Sequence, residues 1–362
     1  MTSTSSDDWL PSLNGLRALS ISMVIGSHFL TAHPELNRSP VIALLMDGAL
    51  GVRIFFVISG FLITMLLLRE LDQCNHVSLR NFYARRILRL WPVQFTFVLF
   101  LMYLTFVTPL NLNLCNYVTA VTFTKNYACS GWIDGHLWSL SVEEQFYLLW
   151  PLSIVTMRLK PLWTFAILLI LIAPASRSAE YVLGGRIYAW LPSNTDTLMI
   201  GCLSAIYAQR HRATLERIAA WHPPAARIVA TTILYVPIFL EHRMMFGKLT
   251  VTLGPTLQAL CSAFLIISFV YHRQGISYRV LNWGLVSYIG TISYSLYIWQ
   301  MPFLSKPDTF GGQNEWFLAF PVDLIAIAVI AMISYHVLEQ PLAGLRHRLH
   351  HDGDQPTRGA AI

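Results

Sequence analysis

The feature that most constrains this chain is the length of its stretches without a charged side chain. Such stretches lie between Arg17 and Glu35, between Arg89 and Lys125, between Lys248 and Arg273, and between Arg279 and Lys306. A helix that crosses the hydrocarbon core of a membrane needs about 17–25 mostly apolar residues, and each stretch is long enough. With 55% hydrophobic and 12% charged residues, the composition excludes a disordered chain, a small disulfide-rich secreted domain and an ordinary soluble enzyme.

These stretches, together with shorter ones, predict an all-α fold: a polytopic membrane helix bundle with about ten transmembrane helices. The predicted spans are 13–32, 47–68, 91–110, 138–157, 161–175, 191–209, 225–241, 250–271, 283–303 and 318–340. An even number of spans puts both termini on one side. Most of the 25 Lys and Arg residues then fall on the inner side if both termini are cytoplasmic. We therefore expect a multi-pass protein of the cell inner (plasma) membrane.

The net charge of +6 is mostly explained by the basic residues that set this orientation, so no nucleic-acid partner is expected. We expect a cytoplasmic segment over 1–12, one transmembrane domain over 13–342 and a flexible cytoplasmic tail over 343–362. The opening MTSTSSDDWL has two aspartates and no basic residue, unlike the positive start of a cleavable signal peptide. The first span is therefore expected to be retained.

The five cysteines show no metal-ligand spacing, so no metal site is expected. Cys115 and Cys129 share one predicted outer loop. In an oxidising compartment they can close a disulfide; two unpaired thiols fit the sequence equally well.

Arg17 and His28 are the polar residues of interest in the first span. They are eleven residues apart, which at 100° per residue brings them within about 20° of the same helix face. Charged and titratable groups inside a span are expensive unless they pair or line a cavity. The two residues therefore form either a functional pair, or an Arg reaching to the interface and a His hydrogen-bonded within the bundle.

A basic segment, RNFYARRILRLWP, precedes the third span. Arg89 lies four residues after Arg85 and three after Arg86, so it shares a helix face with each of them. Guanidinium groups bind phosphate through paired donors. Basic residues at this position are also common determinants of orientation or ligands for lipid headgroups.

A carboxylate pair, Glu143 and Glu144, lies in the fourth predicted span within HLWSLSVEEQFYLLWP. Adjacent carboxylates are costly in an apolar helix. Because successive residues point about 100° apart, one carboxylate can face a polar cavity while the other pairs with a cation. These two are candidate functional residues, and Asp196 in the sixth span is a further candidate.

The chain resembles the acyltransferase-3 family of membrane proteins, which includes O-antigen acetylases, nodulation-factor acetyltransferases and macrolide acyltransferases. The resemblance runs from residue 13 to 342 and is carried by LNGLRALSISMVIGSH (13–28), GVRIFFVISGFLIT (51–64), FYARRILRLWP (82–92), HLWSLSVEEQFYLLWP (136–151), ISYSLYIWQMP (292–302) and SYHVLEQPL (334–342). WSLSVEEQFYLLWP and FFVISGFL are highly specific. Two positions depart from the family pattern: Arg53, where an acidic residue is common, and Gln300, where His is common.

The resemblance implies transfer of an acyl group, usually acetyl, from a coenzyme A (CoA) thioester to a hydroxyl of a carbohydrate, glycolipid or macrolide-like acceptor. Acyl-CoA is then a co-substrate, and no permanently bound cofactor is expected. The family pattern places the Arg–His pair at Arg17 and His28, an Arg-x-x-Arg pair at Arg86 and Arg89, and the two carboxylates at Glu143 and Glu144. Arg53 is expected to affect recognition of the acceptor.

Residues and resemblance together give a mechanistic hypothesis. The CoA phosphates bind Arg86 and Arg89, with Arg85 and Arg17 as further ligands. His28 acts as general base on the acceptor hydroxyl, or alternatively carries the acyl group, while Glu144 or Glu143 supports the imidazole. The alternative function is a proton-coupled secondary transporter that uses the same polar residues. Such transporters commonly have an inverted repeat, which the sequence does not show.

Overall fold

The computed structural model describes residues 10–36, 39–129, 131–157, 159–184, 189–221, 224–311 and 316–351. Most of the predicted segment 1–12, and residues 352–362 of the predicted tail, therefore lie outside the described residues. Throughout the described part of the chain the regular structure is helical and contains no strand, which confirms the predicted all-α fold.

Seventeen α-helices follow one another along the described chain. They are α1 (Leu13–Ala32), α2 (Pro40–Leu45), α3 (Gly48–Cys74), α4 (Leu79–Val107), α5 (Leu114–Val121), α6 (Trp132–Gly135), α7 (Leu137–Thr156), α8 (Leu159–Val182), α9 (Thr195–Arg210), α10 (Arg212–Trp221), α11 (Pro224–His242), α12 (Gly247–Tyr271), α13 (Gly275–Leu281), α14 (Gly284–Thr291), α15 (Ser293–Trp299), α16 (Val322–Ser334) and α17 (Gln340–His351). A single π-helical turn, Tyr335–Glu339, joins α16 to α17.

Within the described ranges, six helical segments are long and apolar enough to cross a membrane. They are Pro40–Cys74, Leu79–Val107, Pro161–Val182, Pro224–His242, Gly247–Tyr271 and Val322–Leu345. Large apolar side chains on their surfaces are exposed, as on α4, where Phe106 is 88% exposed; exposed apolar surface of this extent is typical of a lipid-facing helix. The chain is thus a helical membrane protein, whereas the count of ten and the side of the termini stay predictions.

The remaining predicted spans correspond to helices that are more polar, shorter or broken. α1 and α7 have 20 residues each but carry the Arg–His pair and the two glutamates. α9 has 16 residues. The predicted span 283–303 contains two helices, α14 and α15, interrupted at Ile292. The third predicted span, 91–110, belongs to a helix that begins at Leu79, so the basic segment is part of the spanning helix itself. At the carboxyl end, α17 continues past 342 to His351.

The chain divides into two compact units. The first comprises 1–65 and 159–293, and the second comprises 66–158 and 294–362. The first unit is packed through close contacts between helices. A Cβ atom added at Gly60 would lie 2.1 Å from the Leu198 carbonyl oxygen, and one added at Gly201 would lie 2.3 Å from the Val57 carbonyl oxygen. Only glycine permits this approach of α3 to α9, as is common between membrane helices.

The second unit has an aromatic core and a cross-linked loop. Phe97 packs edge-on against Trp299 at 5.4 Å between ring centroids, and both are buried. Cys115, in the first turn of α5, forms a disulfide with Cys129 in the loop between α5 and α7, which decides between the two alternatives left by the sequence. Next to it, Lys125 and Asp134 form an ion pair with both side chains buried.

Candidate active site

Arg85, in the basic segment of α4, has a carboxylate partner in the second unit. Its Nη2 lies 3.1 Å from Glu70 Oε2, and Glu70 Oε1 accepts a hydrogen bond of 2.8 Å from the Ser78 amide. Ser78 is also the N-cap of α4 and accepts from the Asn81 amide. Glu70 therefore joins the end of α3 to the start of α4, and the predicted phosphate role of Arg85 stays a prediction.

Arg86 makes cation–π contacts with two aromatic rings. Its guanidinium carbon lies 5.6 Å from the ring centroid of Phe82, one turn earlier on α4, and 5.2 Å from that of Tyr147 on α7. Cation–π contacts of this kind contribute about 0.5–2 kcal/mol each, more when the pair is desolvated. These two contacts restrict the positions that the guanidinium group of Arg86 can take.

Glu144 lies one turn before Tyr147 on α7, within electrostatic range of Arg86. The indole of Trp91 interacts with its carboxylate, whereas the Oε1 atom is buried and accepts no hydrogen bond from any described residue. A buried polar atom left without a partner costs about 1–3 kcal/mol. An acceptor maintained at this cost is a sign of a binding or catalytic function.

Tyr294 lies near several of the charged groups of the second unit. Its hydroxyl donates to the Leu90 carbonyl oxygen at 2.7 Å. Within its electrostatic range lie Arg89 and three carboxylates, those of Glu143, Glu144 and Glu339.

The sequence reasoning assigned no role to Tyr294, Tyr147 or Glu339, although all three fall in the motifs that carry the family resemblance. Glu339 ends the π-helical turn, is 4% exposed, and accepts a hydrogen bond of 2.6 Å from Ser295. Single π-turns are rare and are frequently found at functional sites.

Arg17 and His28 both lie on α1 in the first unit, as predicted, and both are half-buried. Arg17 donates two hydrogen bonds to Ser293 Oγ, of 3.2 Å from Nε and 3.0 Å from Nη2. Because α1 is continuous, the eleven-residue spacing keeps Arg17 and His28 on one face.

Arg53, predicted to recognise the acceptor, lies in a buried polar network of the first unit. Arg53 is 7% exposed and donates a hydrogen bond of 2.6 Å to Gln258 Oε1. The amide of Gln258 in turn donates to the Leu234 carbonyl oxygen at 3.1 Å. The network joins α3, α12 and α11.

Asp196, the other predicted substrate ligand, forms a two-pronged ion pair with Arg177 at 3.1 and 2.8 Å, and neither side chain is exposed. It also accepts from Thr256 at 2.5 Å. Such contacts favour structural roles for Asp196 and Arg53, and their assignment as substrate ligands stays a prediction.

The predicted site residues are thus divided between the units. The second unit brings together Arg86, Arg89 and the two glutamates, whereas Arg17 and His28 belong to the first. The predicted support of His28 by Glu144 therefore stays a prediction. Among the side chains that the structure describes, no group of three or more His, Cys, Asp or Glu could hold a metal ion. Chemically, the second unit brings a pair of arginines close to a buried carboxylate.

Comparison with known proteins gives one family match. Residues 10–336 match the model of the acyltransferase-3 family, described as an acyltransferase domain. No solved structure matches the chain.

Three curated relatives are similar to most of this chain. A putative peptidoglycan O-acetyltransferase, YrhL, of Bacillus subtilis is 28% identical over 376 residues, which cover 92% of this chain and 55% of the relative. The O-acetyltransferase OatA of Staphylococcus aureus is 28% identical over 92% of this chain and 57% of its own length. The peptidoglycan O-acetyltransferase OatA of Listeria monocytogenes is 27% identical over 94% and 57%. The chain therefore spans little more than half the length of these relatives.

Proposed function

Since this chain belongs to the acyltransferase-3 family, as the motifs of the sequence predicted, we propose that it is an integral membrane O-acyltransferase. The proposed reaction transfers an acyl group, in the first place acetyl, from acyl-CoA to a hydroxyl of a carbohydrate. Relatives named for peptidoglycan O-acetylation support a cell-wall glycan or a related glycoconjugate as the acceptor. The proposed location is the cell inner membrane, with CoA supplied from the cytoplasm.

Arg86 and Arg89 are the proposed ligands of the CoA phosphates. Both lie on α4 with the three-residue spacing that gives one helix face. The aromatic contacts of Arg86 support this role, because a guanidinium with a fixed orientation loses less conformational entropy when it binds phosphate through two donors.

In the proposed reaction His28 takes the proton from the acceptor hydroxyl, and the hydroxyl oxygen forms a bond to the thioester carbonyl carbon. Collapse of the tetrahedral intermediate breaks the carbon–sulfur bond, and the departing CoA thiolate takes up the proton from the imidazolium, which returns His28 to its neutral form. A positioned general base typically contributes about 10²–10⁴ in rate. The products are the acyl ester of the acceptor and free CoA.

The observation that carries the proposal is the buried oxygen of Glu144 beside Arg86. Oε1 accepts no hydrogen bond from any residue in the described ranges, while Trp91, which interacts with this carboxylate, also packs against Phe95 and Phe123. The carboxylate is thus fixed by a packed indole and retains an acceptor for a reacting group. In the proposal, Oε1 accepts a hydrogen bond from a donor that is present only during the reaction, either the acceptor hydroxyl or a protonated imidazole.

The test compares Glu144→Gln with wild type, both purified in lipid nanodiscs. Release of the CoA thiol from acetyl-CoA is followed in the presence of a chitin oligosaccharide, and the ester is detected by mass spectrometry. Glu144→Gln keeps the shape and should lower turnover by about 100-fold, the low end of the effect of a positioned catalytic group. Glu216→Gln, at an exposed carboxylate on α10, is the matched control and should keep full turnover. Wild-type turnover in Glu144→Gln would contradict the role of this carboxylate.

The secondary transporter is the weaker alternative, because the family match is to acyltransferases. It predicts proton-coupled uptake without cleavage of the thioester. Acetyl-CoA-dependent appearance of the ester in the same nanodisc experiment distinguishes the two functions.

A further inference from the structure

A groove of about 550 Å³ lies at one end of the α11–α12 pair, in the first unit. It is formed by the first turns of α11, the last turn of α12 and the start of α13. Its polar lining includes Arg227, His272 and Ser277, and its apolar lining includes Ile228, Phe269 and Ile276. These residues have no part in the proposed acyl transfer.

Arg227 is the central cation of this groove. Its guanidinium carbon lies 5.7 Å from the ring centroid of Phe269, and its Nη1 donates to Ser277 Oγ at 3.3 Å. The Nε atom is buried and donates to no described residue. This guanidinium therefore has one N–H donor without a hydrogen bond and no carboxylate among the groove residues to neutralise its charge, and both are energetically unfavourable. Since the groove residues include no carboxylate, the counter-charge of this guanidinium has to come from outside the groove.

The segments of the chain that form the groove carry no negative charge. It has no Asp or Glu from Arg217 to Leu240, nor from His242 to Pro307. Arg273 and Arg279 add positive charge next to the groove residues along the chain, and both are exposed. The local charge thus favours a phosphate group over a zwitterion or a neutral sugar.

The groove also has an apolar rim. Ile228 is 64% exposed and Ile276 is 81% exposed. Both α11 and α12 are long and apolar enough to cross the membrane, and the groove lies where α11 begins and α12 ends. A groove at the end of two spanning helices is at the depth of lipid headgroups.

From the guanidinium, the absence of acidic residues and the apolar rim, we propose that this groove binds the phosphate of an anionic phospholipid. Arg227 and Ser277 hold the phosphate, and the acyl chains lie along the exposed apolar residues of α11. A soluble phosphate compound has the same charge but no acyl chains to cover Ile228 and Ile276. The binding site is independent of the proposed acyl transfer.

The test is native mass spectrometry of the full chain from nanodiscs that contain phosphatidylglycerol and phosphatidylcholine. Wild type should retain phosphatidylglycerol in preference to phosphatidylcholine. Arg227→Gln should lose this retention, with affinity reduced about tenfold or more, as expected when a hydrogen bond to a charged group is removed. Arg217→Gln, an exposed arginine on α10, is the matched control and should behave as wild type.

A second variant keeps the test decisive if Arg227→Gln does not fold. Ile276→Glu places a carboxylate at a mostly exposed position on the rim, and should expel the lipid by repulsion while leaving the buried residues intact. Equal retention of phosphatidylglycerol by wild type and by either groove variant overturns the proposal. So does displacement of the lipid by CoA or inorganic phosphate at equal concentration, since the site would then select phosphate without a membrane anchor.

Discussion

At the scale of single residues, the proposed proton transfer depends on His28. Replacing it with Ala removes the base and should lower turnover by about 10²–10⁴, while the dissociation constant of acetyl-CoA, measured by calorimetry, stays near wild type. His33→Ala is the matched control, because His33 lies at the end of the same helix and is paired with Glu35 at 3.3 Å. Added imidazole should restore part of the turnover of His28→Ala; full turnover without it would refute the role of His28 as base.

Arg86 gives a second prediction, which concerns binding of the donor. Arg86→Lys keeps the charge but loses the planar fork and its contacts to Phe82 and Tyr147, so KM for acetyl-CoA should rise about tenfold or more. The value of kcat should change little. Arg80→Lys, at an exposed position on the same helix, should leave both constants unchanged. A fall in kcat at constant KM would instead place Arg86 at the reacting atoms.

The sequence was sufficient to place some of these residues but not their partners. Arg17 and His28 could be assigned to one face because the spacing within a helix is fixed by its geometry. One partner of Arg85, by contrast, is Glu70 on the preceding helix, and one partner of Arg53 is Gln258, 205 positions later. Local periodicity does not specify contacts between helices. The sequence could therefore identify a buried arginine but not the residue that accepts its hydrogen bonds.

At the scale of secondary-structure elements, the loop between α5 and α7 is held by a buried network. The Lys125 ammonium donates to Asp134 and, at 2.9 and 2.6 Å, to the carbonyl oxygens of Asn116 and Cys129. The disulfide from Cys115 to Cys129 spans the same segment. This network fixes a loop that has little regular structure.

Lys125→Met should therefore destabilise the second unit. Removal of one partner from a buried ion pair costs about 3–5 kcal/mol, because the other charge remains buried. We expect a lower midpoint of thermal unfolding in detergent, and we expect the double variant Lys125→Met/Asp134→Asn to recover part of the loss, because the amide is uncharged and its oxygen can still accept from the Gly131 amide. Lys306→Met, at an exposed lysine, is the control. A midpoint for Lys125→Met equal to that of the control would mean that the ion pair contributes no stability.

Elements were predicted well where hydropathy alone defines them, and poorly where polar contacts interrupt them. The predicted span 283–303 is continuous in hydropathy, yet the helix breaks at Ile292, next to the point where Ser293 accepts both hydrogen bonds from Arg17. The π-helical turn that ends at Glu339 is equally invisible in the pattern of apolar residues. Both depend on long-range contacts, which composition and periodicity do not encode.

At the scale of the whole molecule, hydrogen bonds and packing contacts join several loops of the second unit to one another. The Trp132 indole donates to the Leu304 carbonyl oxygen at 3.0 Å, and Gly311 packs against Pro109. These loops are all predicted to lie outside. The pair of Glu70 and Arg85 belongs to the opposite end of α4, a helix of 29 residues. At 1.5 Å per residue this helix is about 43 Å long, more than the hydrocarbon core.

The two ends of α4 should therefore be on opposite sides of the membrane, with the disulfide end outside, because disulfides persist in an oxidising compartment and basic residues favour the cytoplasm. Single reporter cysteines test this orientation at two exposed positions, Lys306→Cys and Arg80→Cys, in a background where the half-buried Cys74 and Cys261 are serine. In sealed right-side-out vesicles an impermeant maleimide should label Lys306→Cys at once and Arg80→Cys only after permeabilisation. The same background protein without a reporter cysteine is the control, because it shows any labelling of the remaining free cysteine, Cys202. The reverse labelling pattern would place the arginines of α4 outside, away from cytoplasmic CoA, and would contradict the orientation and the proposed donor site together.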